Sequence, residues 1–191
     1  MLSLKPISPS AFYGAFLDVT SSHARALSEA RTHDPEFTRV MLSDIFPEIA
    51  SRLGLRCFPS DYYKFDAIFY VEADTKHFPT GTYAKYVSVA LEHENRPVGS
   101  VREMNKLQLL NAPLKVLITY PGNREYARML LGQYAEIIAD ADPFEDIDTL
   151  RRQLVIFGFK EDVPRWDAYA YAGQSFSPVE PERLQKAPQT A

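Results

Sequence analysis

The chain has 191 residues, 46% of them hydrophobic and 24% charged, with a formal charge of −4. That is ordinary globular composition, long enough for one domain with a real core, and the mild charge neither advertises nor excludes a nucleic-acid partner. The single cysteine, Cys57, excludes an internal disulfide, no Cys/His cluster has zinc spacing, and no stretch approaches the eighteen apolar residues of a membrane span.

Residues 1–19 carry Pro6 and Pro9 and no continuous apolar run, so they do not read as a signal peptide, and a reducing, cytoplasmic setting is expected. From Pro9 to about Ala30 the spacing of Phe12, Phe16, Val19 and Leu27 predicts a helix. A second helical stretch runs from Asp34, an N-cap before Pro35, to Leu53; Pro47 predicts a kink and Gly54 closes it. The period then turns to alternation. A short strand is predicted at 55–58, another in KFDAIFYVEA (64–73), and a third in YVSVALEHE (86–94), reached through a loop with Pro79 and Gly81. A helix over 101–111, an apolar strand LKVLITY (114–120) and a long helix over 123–141 follow. Strands at 153–159 and 166–172 complete the domain (1–176), and residues 177–191, with Pro178, Pro181 and Pro188, read as a loose tail. The order predicts an α/β three-layer sandwich, a central mixed sheet with helices on both faces.

Chemistry concentrates at the end of the third strand. Alternation puts Glu92 and Glu94 on one face, about 7 Å apart at Cα, and His93 on the other. Antiparallel pairing with the preceding strand would bring Asp66 beside them. Three converging carboxylates repel one another, and clustered oxygen ligands suit Mg²⁺ or Mn²⁺ better than zinc or copper. The backbone carbonyl of His93 could add an oxygen. The blander alternative is that Glu92 and Glu94 are wetted charges at a strand end.

An acid on one strand, Glu-x-charged on the next, then a helix and an apolar strand resembles the restriction-endonuclease-like PD-(D/E)XK nuclease superfamily. Its α-β-β-β-α-β core matches the order of residues 34–120. The resemblance implies that Asp66 and Glu92 are the metal-binding acids of a phosphodiester hydrolase acting on DNA. Glu94, standing where the family usually has lysine, would orient or deprotonate water or ligate a second ion; Phe65 replaces the motif's proline. Glu48 is the nearest match to a glutamate on the family's first core helix. Lys106, one turn after Arg102 on the next helix, could substitute for the missing lysine or be a surface lysine.

Other residues carry simpler readings. Ser100–Glu103 has the pattern of a capping box. His93 is read as packed, and His23, His33 and His77 lack ligand spacing. Lys115, Arg124, Arg128, Arg151 and Arg152 could contact phosphate or be structural, and the acids from Asp140 to Asp148 suit a solvated loop. The leading expectation is a Mg²⁺-dependent nuclease, acting as a homodimer because one such site cuts one strand. The alternatives are an inactive nuclease-fold protein that binds or regulates, and a metal-independent hydrolase using two carboxylates as acid and base.

Overall fold

The computed structural model describes residues 6–78, 81–141, 152–159 and 165–183. Helix α1 (Pro9–Ser22) starts on Ser8, whose hydroxyl accepts from the Ala11 amide, and breaks at His23 before α2 (Ala24–Ala30). The expected 34–53 helix is one continuous run in three parts: α3 (Asp34–Arg39), a π-helical segment (Val40–Ile45) and α4 (Phe46–Arg52). Pro47 has no N–H for the Ser43 carbonyl, and the widened π turn just before it absorbs that loss without a break. Gly54 then takes a left-handed φ of 71°, as a helix C-terminus favours.

Strands β1 (Arg56–Tyr62) and β2 (Phe65–Tyr70) form a hairpin. The first strand is longer than predicted because pairing continues past an irregularity after Pro59. A separate ribbon of β3 (Thr75–Phe78) and β4 (Gly81–Ala84) occupies the expected loop, of which Pro79 lies outside the described residues. There follow β5 (Val89–Glu94), α5 (Ser100–Gln108), β6 (Leu114–Thr119), α6 (Arg124–Asp140), β7 (Arg152–Phe159), β8 (Arg165–Ala172) and β9 (Ser175–Pro178).

The main sheet has seven strands in the order β1-β2-β5-β6-β7-β8-β9. The β5–β6 and β6–β7 pairs, each bridged by a helix, are parallel, and the flanking pairs are antiparallel. One face sends Val89, Leu91, Val116, Ile118, Leu154 and Ile156 into a core with α1 to α4. The other sends Ile68, Ala90, Leu117, Val155 and Phe157 against α5 and α6. This is the three-layer α/β sandwich that the alternation of periods predicted.

Residues 177–183, part of the 177–191 stretch expected to be a loose tail, are mostly exposed but carry contacts back to the fold, and residues 184–191 lie outside the described ones. Ser177 and Pro178 belong to β9, Val179 rests on the core, and the Glu182 amide donates to the Ser10 carbonyl at 3.0 Å. Their apolar anchor is one valine, too little for composition to reveal. Among the described residues no helix is long and apolar enough to cross a membrane.

Candidate functional site

The β2–β5 register sets Ala67 opposite Leu91 and Ile68 opposite Ala90, and the next step puts Asp66 across from Glu92 on the face covered by α5. Asp66 and Glu92 meet as the alternation predicted. The His93 amide donates to Asp66 Oδ2 at 2.8 Å, so the β5 backbone holds that carboxylate in place. Glu92 is 1% exposed.

Lys106, on the last turn of α5, closes the group. Its Nζ lies 2.9 Å from Glu92 Oε2, pairs with Glu103 one turn earlier, and donates to the Lys64 carbonyl at 2.8 Å. It also stands 5.5 Å from the centre of the Phe65 ring, within cation–π range. The Lys64 carbonyl is delivered by a tight turn in which Tyr63 and Lys64 both have positive φ, 52° and 70°. Two bulky residues in that region are strained, and the strain sits beside the charged cluster.

Burial raises the Asp66 carboxyl above its ordinary value, while the His93 amide and Lys106 pull against the rise. Burial also pushes Glu92 up, to about 9, with the Asp66 and Glu103 charges adding to it and Lys106 opposing. Burial alone would lower Lys106, yet its bonds to Glu103 and Glu92 outweigh that and hold its ammonium above the ordinary range. Asp66 and Glu92 lie within hydrogen-bonding reach, and Glu92 Oε1 receives no donor among the described residues. Two carboxylates so close disfavour ionising together, in keeping with the rise at both.

Glu94 does not join this pair. It accepts from the Arg96 amide at 2.8 Å and packs against Gly99, where a Cβ would fall 2.5 Å from Glu94 Oε2. Glu48 lies with α4 across the sheet, bonded to His23 at 2.9 Å and to Arg52, and so is remote from Asp66. Burial of His93 is as expected, with Nε2 2.7 Å from the Tyr120 hydroxyl. Lys115 does not reach for phosphate: it is fully buried, 3.4 Å from the Gln108 side chain. Arg151 and the acids from Asp142 to Asp148 lie outside the described residues.

Glu103 is the member that sequence reading missed. The capping box is not formed: the cap is Gly99 without a side-chain bond, and the Ser100 hydroxyl is taken by the Pro97 carbonyl and the Tyr134 hydroxyl. Glu103 is thereby free to pair with Lys106. The i, i+3 spacing of Glu103 and Lys106 was the signal that could have found it.

The paired acids are adjacent oxygen donors of the kind a hard cation takes, and Glu92 Oε1 receives no hydrogen bond among the described residues. Among the described residues, however, no three His, Cys, Asp or Glu side chains are arranged to hold one. Neither a family model nor a curated protein matches this chain.

Proposed function

We propose that the chain is a Mg²⁺- or Mn²⁺-dependent phosphodiester hydrolase acting on DNA, a member of the restriction-endonuclease-like group. The observation that carries this reading is the buried convergence of Asp66, Glu92 and Lys106 at the carboxyl end of β5. Asp66 and Glu92 would hold the cation, whose chemistry there would be to polarise a phosphate and lower the pKa of water. Lys106 supplies the positive charge that the phosphoryl oxygens need as charge builds on them. Glu103 positions Lys106, and the Lys64 carbonyl fixes its reach. Glu94 would serve as a further ligand or water-orienting base only after leaving the Arg96 amide. One such site cuts one strand, so duplex cleavage requires two copies acting together.

One observation favours a second reading, a binding protein without catalysis. Lys106 already pairs with Glu92 at 2.9 Å, so that acid has a cationic partner without any metal.

Plasmid and oligonucleotide cleavage in Mg²⁺ and Mn²⁺ tests both. Asp66→Asn and Glu92→Gln should each lower the rate by at least about 100-fold, and Lys106→Met by a similar factor. Cleavage that survives both acid substitutions would refute the assignment. Tight oligonucleotide binding with no cleavage, and no shift of Tm by Mn²⁺, would establish the second reading.

A further inference from the structure

Three strands along the same face of the sheet from the acids lies a second polar feature that the proposed chemistry does not use. A recess of about 230 Å³ opens between α6 and β8, lined by Arg124, Ala127, Arg128, Phe159, Asp167 and Tyr169. Arg124 and Arg128 stand one turn apart on α6 with Ala127 between them buried, so both guanidiniums project from one side of the helix. Asp167 is the lone acid in the lining, and its charge is divided. Arg124 Nη2 approaches one of its oxygens at 3.6 Å and Arg165 Nε the other at 3.5 Å. Both are loose contacts, longer than a good hydrogen bond. Arg128 makes no ion pair among the described residues. Two arginines and one carboxylate therefore line the recess, with Arg165 contacting that carboxylate from beside it, and the positive excess is local on a protein that is acidic overall. Glu125, on the same helical turn, is not in the lining.

Position gives the excess its meaning. Glu92 pairs in register with Leu117, Leu117 with Val155, and Val155 with Tyr169 of the recess. Tyr169 therefore lies in the same row as Glu92, three strands away, or about 14 Å at ordinary strand spacing, and on the same face. Both features sit at the carboxyl ends of the parallel strands, where open α/β sheets bind ligands. Along one nucleic-acid strand about 14 Å covers about four phosphates. Phe159 and Tyr169 give the recess an aromatic wall, and the volume suffices for a phosphodiester with attendant water. Arg152, by contrast, begins β7 at the opposite end of the sheet.

We infer that the Arg124–Arg128 recess grips a backbone phosphate of the nucleic acid, a few nucleotides from the bond held at Asp66 and Glu92. This rests on the hydrolase reading for its substrate but not for its geometry. The arginines read charge rather than sequence, so they contribute to affinity and register alone.

The test is fluorescence anisotropy of a labelled 20-mer oligonucleotide, single- and double-stranded, titrated in EDTA over a range of KCl, together with steady-state cleavage in Mg²⁺. Arg124→Gln/Arg128→Gln should weaken binding at least about tenfold and flatten the plot of log Kd against log salt by about 0.7–0.9 per arginine. Arg128→Lys should retain most of the affinity. In cleavage the double variant should raise KM and leave kcat in place. If the double variant binds with unchanged affinity and salt slope while the wild type cuts, the recess inference fails and the hydrolase reading stands. If the wild type binds through these arginines but cuts nothing, the recess stands and the hydrolase reading fails. No binding by the wild type overturns the recess as a nucleic-acid site.

Discussion

A carboxyl buried as deeply as that of Glu92 faces Asp66, Glu103 and Lys106 at once, and its proton is what the folded state controls most strongly. Its folded pKa is raised, from an ordinary 4.5 to about 9. A group raised in this way binds more protons folded than unfolded. The stability it gives is complete below about pH 4.5 and is lost progressively as pH climbs toward 9. Asp66 is raised as well and acts in the same direction. Glu92→Gln removes the titration while keeping size and polarity, and Lys106 retains Glu103 as a partner. The Tm of this variant minus that of the wild type should therefore grow from pH 5 to pH 9, reaching a few degrees. A difference that stays flat across that range would mean that Glu92 is ionised in the folded protein.

At the scale of the elements, close approach of strand and aromatic side chains limits what β7 can carry. Gly158 pairs with Trp166 across the β7–β8 ladder, and a Cβ on it would fall 2.5 Å from both the Trp166 and Tyr120 rings. Those rings pack against one another and, through Tyr120, against His93 and Phe37. Neither can withdraw without disturbing the core. Gly158→Ala should cost about 1–3 kcal/mol, read as a lower midpoint in urea at unchanged m-value. The β1–β2 turn shows the opposite economy. Strained Tyr63 and Lys64 are retained where their backbone serves Lys106.

Over the whole molecule, the chain's last described segment ties the second half back to the first helix. Gly14 on α1 is the contact point, because a Cβ there would sit 2.0 Å from the Glu182 carbonyl oxygen. Glycine to alanine in a helix interior normally gains about 1 kcal/mol. Here the sign should reverse. Gly14→Ala should lower Tm and speed limited proteolysis of the C-terminal segment, since the Glu182 backbone can no longer dock. A raised Tm would show that residues 179–183 are not held there. The same long-range organisation places the acids and the arginine recess at one end of the parallel strands, although Glu92 and Arg165 are far apart in sequence.

The sequence by itself determined the layer order, the faces of the strands and the meeting of Asp66 with Glu92. Each of these follows from a local period: two residues per repeat in β2 and β5, and about 3.6 in the helices. Lys106 was accessible for the same reason, through its spacing on α5. What only the tertiary structure decided concerned competition between partners. Glu103 was free for Lys106 because Pro97 and Tyr134 claimed the Ser100 hydroxyl. Glu94 turned away because Arg96 offered an amide in the bend that follows. Glu48 was held by His23 and Arg52 across the sheet. A polar side chain takes the best partner within reach, and which partners are within reach is settled only when distant segments pack.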